Sequence, residues 1–311
     1  MVVRISKNVK PSDVRDQSDN GSCECRLYSG FKSIDDIVHG FGKGEVCVLA
    51  SAPSRGATAL ALSIAECVSL GRNISGDAMT GNHGAKHSVM IVSLAHTMRY
   101  VINRMSISLA GWWQGATTSL PTAEGIALAE EEITTLPIHI KAYGIPGSSR
   151  EVEISRVVSD VCRMASQHRI ELIIVDYLNL LCDSISSLLG RSYELLHIMG
   201  VIKFLAQGLN CAILLLANAA CPANVDWKDY KSVLSDLRWN SPAIESLIDV
   251  VMLLNRPLSR QTPRGGPAFL NIAKNCHGET GEIELEFLKS SIRFAERPST
   301  QASSSVSPER P

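Results

Sequence analysis

Aromatic residues are scarce, at 5% of 311 positions, and no stretch approaches the roughly 18 consecutive apolar residues that a membrane-spanning helix requires. The first ten residues, MVVRISKNVK, lack the apolar segment of a secretory signal. Both absences predict a soluble, cytoplasmic protein that does not bind membranes. Charge of one sign is missing too. Thirty Lys and Arg balance 31 Asp and Glu for a net charge of -1, which excludes the global basic field of a non-specific nucleic-acid binder. Any contact with DNA would have to be local. The nine cysteines form no CxxC pair, which argues against a structural zinc site. Cys23-x-Cys25 comes nearest, with no second pair to complete it. Most of the others sit inside apolar runs, where free cysteine packs as a small hydrophobe in a reducing compartment.

What is present is enough apolar material, 45% of residues, for one sizeable core and therefore one principal domain. Residues 1–26 are polar and rich in chain breakers, which predicts a flexible arm. Residues 297–311 are dominated by Ser, Pro, Gln and Thr, a composition that cannot offset chain entropy by burial and predicts a disordered tail. Between them, over 27–296, buried-strand patterns at Glu45–Ala50, Ser88–Ser93, Ile138–Lys141, Leu172–Asp176 and Cys211–Leu216 are separated by helical patterns. The helices fall at Thr58–Leu70, Met98–Ala110, Ser149–His168 and Tyr193–Gln207. Fully apolar strands alternating with helices imply a parallel sheet covered on both faces. The last third changes character. Asp249–Leu254, Ala268–Ala273, Glu282–Phe287 and Ile292–Phe294 follow one another at hairpin-like spacing, which predicts an antiparallel extension. The fold class read from the pattern is α/β, with a mostly parallel central sheet flanked by helices.

One junction carries chemistry. Ser51-Ala-Pro-Ser-Arg-Gly-Ala-Thr58 lies directly after a buried strand and before a helix, where backbone N–H groups and a helix N-terminus can cradle phosphates. Gly56 and Thr58 suit such a loop. The lysine that normally reaches the β and γ phosphates is replaced by Ala57, and the first glycine by Ser51. In isolation the plainer reading is an ordinary strand-to-helix turn.

The flanking residues give it a context. Gly30-Phe-Lys-Ser-Ile-Asp-Asp-Ile-Val-His-Gly-Phe-Gly-Lys-Gly-Glu45 resembles the segment leading into the phosphate loop of DnaB-type replicative DNA helicases. Four further blocks resemble the same family in order: Ser88–Leu94, Leu172-Ile-Ile-Val-Asp-Tyr-Leu-Asn-Leu180, Ser235-Asp-Leu-Arg238 with Ile244, Glu245 and Asp249, and Lys274-Asn-Cys-His-Gly278. The resemblance runs from about Arg26 to Glu296. It implies a RecA-like P-loop NTPase fold that takes ATP and Mg2+. Ser51, Pro53, Ser54, Arg55, Gly56, Thr58, Asn218 and Lys274 would lie around nucleotide, and Thr58 and Asp176 would hold the metal.

The resemblance also exposes departures at the positions that perform hydrolysis. Ala57 stands for the lysine, Ala95 for the catalytic glutamate, Cys276 for the arginine finger, and Asn218 for a glutamine. Removing one such electrostatic group lowers a rate by about 10²- to 10³-fold, and an arginine finger alone is worth roughly 10³ to 10⁵. The resulting expectation is a family member that binds nucleotide, DNA or another helicase with little or no ATP hydrolysis. The alternative is an active helicase in which Arg55 reaches back over the phosphates, against the plainer reading of Arg55 as a solvated loop residue. A recombinase-like RecA protein is a third reading, which the Ser235–Arg238 block disfavours. For single-stranded DNA the resemblance nominates Arg238, together with Trp227, Lys228 and Lys231, whose mixture of aromatics and cations suits stacking plus phosphate attraction. The aspartates in that loop also fit a solvated turn. The family's assembly implies a homo-hexamer or association with a full-length replicative helicase.

Overall fold

The computed structural model describes residues 26–79, 84–115, 119–145, 151–219, 241–257 and 265–297. Its centre is a nine-stranded sheet in the order β11-β10-β9-β8-β1-β7-β5-β2-β3. The strands are β1 (Val46–Ser51), β2 (Val89–Ser93), β3 (Ile138–Ala142), β5 (Leu172–Asp176), β7 (Ala212–Asn218), β8 (Val250–Asn255), β9 (Gly265–Asn275), β10 (Gly281–Leu288) and β11 (Arg293–Glu296). A separate pair, β4 (Val152–Glu153) and β6 (Leu181–Cys182), runs parallel at one side. The helices are α1 (Lys32–Val38), α2 (Ala57–Leu70), α3 (Met98–Trp113), α4 (Ala123–Thr135), α5 (Ile154–Gln167), α6 (Arg191–Leu209) and a single turn, α7 (Pro242–Ser246).

The six strands from β8 to β3 are mutually parallel. Because side chains alternate across a strand, the five from β8 to β2 each feed two cores, while the edge strand β3 is half-buried throughout. On β1, Cys47 and Leu49 join the layer under α1 to α4, while Val46, Val48 and Ala50 join the layer under α5 to α7. This two-sided burial is why these strands read as unbroken apolar runs. Beyond β8 the sheet turns antiparallel through β9, β10 and β11. Here one face is buried, with Ile283, Leu285 and Phe287 inward and Glu282 and Glu284 exposed. The mostly parallel sheet and its antiparallel extension match the pattern read from the sequence.

Several elements differ in detail. Helix α4 was absent from the sequence reading; it starts at the Thr122 cap, whose side chain accepts from the Gly125 amide, and buries only Gly125, Ala129 and Ile133. Helix α5 begins at Ile154, not at Ser149, because Val152 and Glu153 are drawn into the pairing with β6. Arg26, at the end of the expected arm, is fastened: its guanidinium donates to both Glu45 carboxylate oxygens at 2.7 and 2.9 Å. Residues 1–25 and 298–311 lie outside the described residues, as does 220–240, which contains Trp227, Lys228, Lys231 and Arg238. Among the described residues no helix is long and apolar enough to cross a membrane.

Candidate functional site

The parallel register brings the carboxyl ends of the central strands into one line, with Ser51 of β1 opposite Asn218 of β7 and Ser93 of β2 opposite Asp176 of β5. In open α/β sheets, ligands bind in the crevice outside this edge. Here the crevice is a cavity of about 390 Å³. Its floor comes from Ser51, Pro53, Ser54, Gly56, Ala57 and Thr58, and its sides include Asp176, Asn218 and Arg256.

Loop 52–56 wraps tightly from β1 into α2. The Arg55 amide closes a turn on the Ala52 carbonyl, and Ser54 adopts the left-handed conformation at φ 66°. Gly56 caps α2 at φ 108°. A Cβ there would lie 3.0 Å from the Phe294 ring, so the chain conformation and the close approach of β11 both require glycine. Helix α2 follows, buried on nearly every face, and points its N-terminal amides into the cavity.

Thr58 and Asp176 meet at this edge, the hydroxyl donating to the carboxylate at 3.0 Å. Asp176 is buried, which pushes its carboxyl up to about 6; the Thr58 hydrogen bond and the nearby Arg104 charge act in the opposite direction. A hydroxyl and a carboxylate side by side are a hard-oxygen donor pair of the kind Mg2+ takes alongside phosphate oxygens. The residues present fit that group.

Three cavity-lining residues escaped the sequence reading. His96, Tyr100 and Arg104 come from the start of α3 and the turn before it. His96 stacks on Tyr100 with ring centroids 4.1 Å apart, and Arg104 donates to the Tyr100 hydroxyl at 2.9 Å. Burial, aided by Arg104, holds the His96 imidazole below its ordinary value. Arg104 thus supplies a cation to a cavity whose loop has none at Ala57. The available signal was the i, i+4 spacing of Tyr100 and Arg104, which sets both on one face of α3.

Other nominated residues lie elsewhere. Arg55 does not line the cavity; its guanidinium donates to the Arg256 carbonyl, while Arg256 donates back to the Arg55 and Ser54 carbonyls at 3.1 and 2.8 Å. Arg256 also covers the Phe287 ring at 4.2 Å. This reciprocal clasp engages the Arg55 guanidinium with the backbone of Arg256. Lys274 is likewise engaged away from the cavity, its ammonium donating to the Glu245 and Ile248 carbonyls at 2.6 Å each. Cys276 is exposed in the turn after β9. Ala95 is half-buried against the α5 to α7 layer and does not line the cavity. Asn218 does, and its backbone is gripped by Asn179, which accepts from the Asn218 amide at 2.8 Å and donates to its carbonyl at 3.0 Å.

Residues 27–296 match the family model described as DnaB-like helicase C terminal domain. The chain belongs to that family. Among the DnaB-like relatives, it is 26% identical over 294 residues to the replicative DNA helicase DnaB of Treponema pallidum (strain Nichols), covering 94% of this chain and 61% of that protein. It is 24% identical over 277 residues to a probable plasmid replicative DNA helicase of Chlamydia muridarum (strain MoPn / Nigg), covering 86% and 54%. The DnaB-like chain therefore spans a little over half the length of these relatives. Among solved structures it superposes on the ATPase domain of G40P with a TM-score of 0.66 at 20% identity, over 88% of this chain and 91% of that one. The RadB recombinase matches at 0.53 and 12% identity, over 88% of this chain and all of that one. Both likenesses establish a RecA-like fold.

Proposed function

We propose that this chain is a nucleotide-binding module built on the DnaB-like ATPase fold, in which the phosphate cation comes from α3 and hydrolysis is weak or absent. The observation that carries this reading is the composition of the cavity. The Thr58–Asp176 pair and the α2 N-terminus are in place, and Arg104 stands among the lining residues. The two positions that would hold the γ-phosphate and orient water are methyl groups, Ala57 and Ala95.

Each residue then has a role. The amides of the loop and of the first turn of α2 face the phosphates, and Arg104 neutralises their charge. Thr58 and Asp176 would hold Mg2+, which supplies charge neutralisation at the phosphate oxygens. Arg256, over Phe287, holds the loop through its carbonyls. The position of the family's water-orienting glutamate is Ala95, and Asp176 is committed to Thr58. The clasp between Arg55 and Arg256 counts against Arg55 standing in for the lysine. Family membership favours DNA replication as the setting, and single-stranded DNA, further copies of the chain or a full-length helicase as partners. Trp227, Lys228, Lys231 and Arg238 are the proposed DNA contacts.

The test pairs binding with turnover. A fluorescent ATP analogue should bind in the presence of Mg2+, and Arg104→Ala should weaken it by about 10- to 100-fold, the range for one charge-assisted hydrogen bond, with little effect on adenosine. Steady-state hydrolysis with single-stranded DNA should stay at background in the unmodified chain. Turnover that disappears in Arg55→Ala would replace this reading with that of an active helicase.

A further inference from the structure

Helix α6 carries apolar side chains on two faces, and only one of them is covered. Leu195, Ile198, Met199, Ile202 and Leu205 turn inward to the core. On the opposite side Tyr193, His197, Gly200 and Phe204 fall at i, i+4, i+7 and i+11, which is one narrow stripe of a helix. Tyr193 and Phe204 are 62% and 76% exposed. The turn Ser186–Leu189 packs against α6 and extends the stripe with Leu188 and Leu189, at 85% and 69%. Between the two aromatic residues the surface is open, since a Cβ at Gly200 would meet no atom within 4 Å. Nearby charges are engaged elsewhere: Lys203 donates to Asp249 at 2.6 Å and Arg191 to Glu194 at 2.8 Å. Contiguous exposed apolar surface of this kind marks a docking site.

The chain itself enters the fold beside this face. Arg26 is held by Glu45, and the adjacent Gly44 amide donates to the Cys211 carbonyl at 2.8 Å, just past the end of α6. Residues 1–25 therefore start out next to the last turn of that helix. With 19 residues, α6 is about 28 Å long, and a coil the length of residues 10–25 typically spans about 22 Å. Met1–Val9 thus lies within reach of the stripe at high effective concentration. Its composition matches. Met1, Val3 and Ile5 alternate with other residues and give an extended chain an apolar edge of about 13 Å, against roughly 16 Å along the helix from Tyr193 to Phe204. Arg4, Lys7 and Lys10 are accompanied by no acidic residue up to position 10, and the last turn of α6 has no basic residue to offset the negative end of its dipole. Residues 298–311, by contrast, offer only Ala302 and Val306 as apolar side chains. We infer that the outer face of α6 is the docking site of the chain's own segment Met1–Val9. The inference does not depend on the nucleotide reading, since neither Tyr193 nor Phe204 lines that cavity.

The experiment uses the full chain and follows tryptic cleavage after Arg4 and Lys7 by mass spectrometry, together with mass in solution over a range of concentrations. Docking protects these bonds in proportion to the time the segment is bound. Cleavage should therefore quicken by about tenfold in Phe204→Ser and in the double variant Val3→Ser, Ile5→Ser, as for a segment docked about nine-tenths of the time. Each of these positions lies on the surface or outside the fold, so the thermal midpoint of the core should stay in place. A dye that fluoresces on exposed apolar surface should bind more strongly to the Val3→Ser, Ile5→Ser chain, where the α6 face is uncovered, than to the unmodified one. Cleavage rates that are the same in all three chains overturn the inference. If Phe204→Ser lowers the mass in solution while leaving cleavage unchanged, the face belongs to a second copy of the chain and the inference falls as well. ATP-analogue binding, measured on the same proteins, reports separately on the nucleotide reading.

Discussion

At the scale of single residues, the site depends on a few buried charges with narrow surroundings. Asp176 is the clearest case. Its carboxyl is pushed up to about 6 by burial, so the folded chain holds that proton more tightly than the unfolded chain. Ionisation therefore opposes folding. The opposition is absent below about pH 4, grows between pH 4 and 6, and is complete above 6, where two units correspond to about 3 kcal/mol. Asp176→Asn should accordingly stabilise the unliganded chain by up to about 3 kcal/mol at pH 8 and by about half that at pH 5, while abolishing Mg2+-dependent nucleotide binding. Urea unfolding at the two pH values checks the first part; a constant difference between them would show that the burial of this carboxylate is not the cause. Thr58 was legible from the order of strand, loop and helix, and Asp176 from the resemblance of its strand to the family's; the structure brings the two within 3.0 Å. Arg104 was not, because nothing local distinguishes it from any exposed arginine on an amphipathic helix.

At the scale of elements, regular patterns were legible and short or weakly patterned pieces were not. Strands β1, β2, β5 and β7 announce themselves as apolar runs, and β10 as the alternation Glu282-Ile-Glu-Leu-Glu-Phe287. Helix α4 hides because its buried stripe consists of Gly125, Ala129 and Ile133, two of them small. The first turn expected of α5 is lost to β4, whose pairing with β6 is made by residues roughly thirty positions away in sequence. Lys274 illustrates an element-level role that sequence comparison alone would assign to nucleotide. In the structure its ammonium donates to the carbonyls of Glu245 and Ile248, tying α7 and the turn after it to β9. Lys274→Met should lower stability by roughly 2 kcal/mol, the scale of hydrogen bonds from a charged donor. ATP-analogue affinity of the isolated chain should stay within about twofold. A large affinity loss with unchanged stability would assign Lys274 to the ligand.

At the scale of the whole molecule, the two-sided sheet dominates stability. Leu214 on β7 is fully buried, between Cys47 of β1 and Ile174 of β5 in register. Leu214→Ala should lower unfolding free energy by about 3–5 kcal/mol, read as a shift in denaturation midpoint with unchanged slope. The residue pattern alone suffices for the α/β class, the parallel core, the antiparallel extension and the place of the loop between β1 and α2. These follow from hydrophobic periodicity and from chain order, which are local properties. Which charges face which cavity is settled by packing between distant segments. That packing turned Arg55 onto the Arg256 carbonyl, brought Arg104 from α3 to the cavity that Ala57 lines, and buried Arg293 over Trp112. Those outcomes depend on distances between side chains far apart in sequence, and no local pattern encodes them.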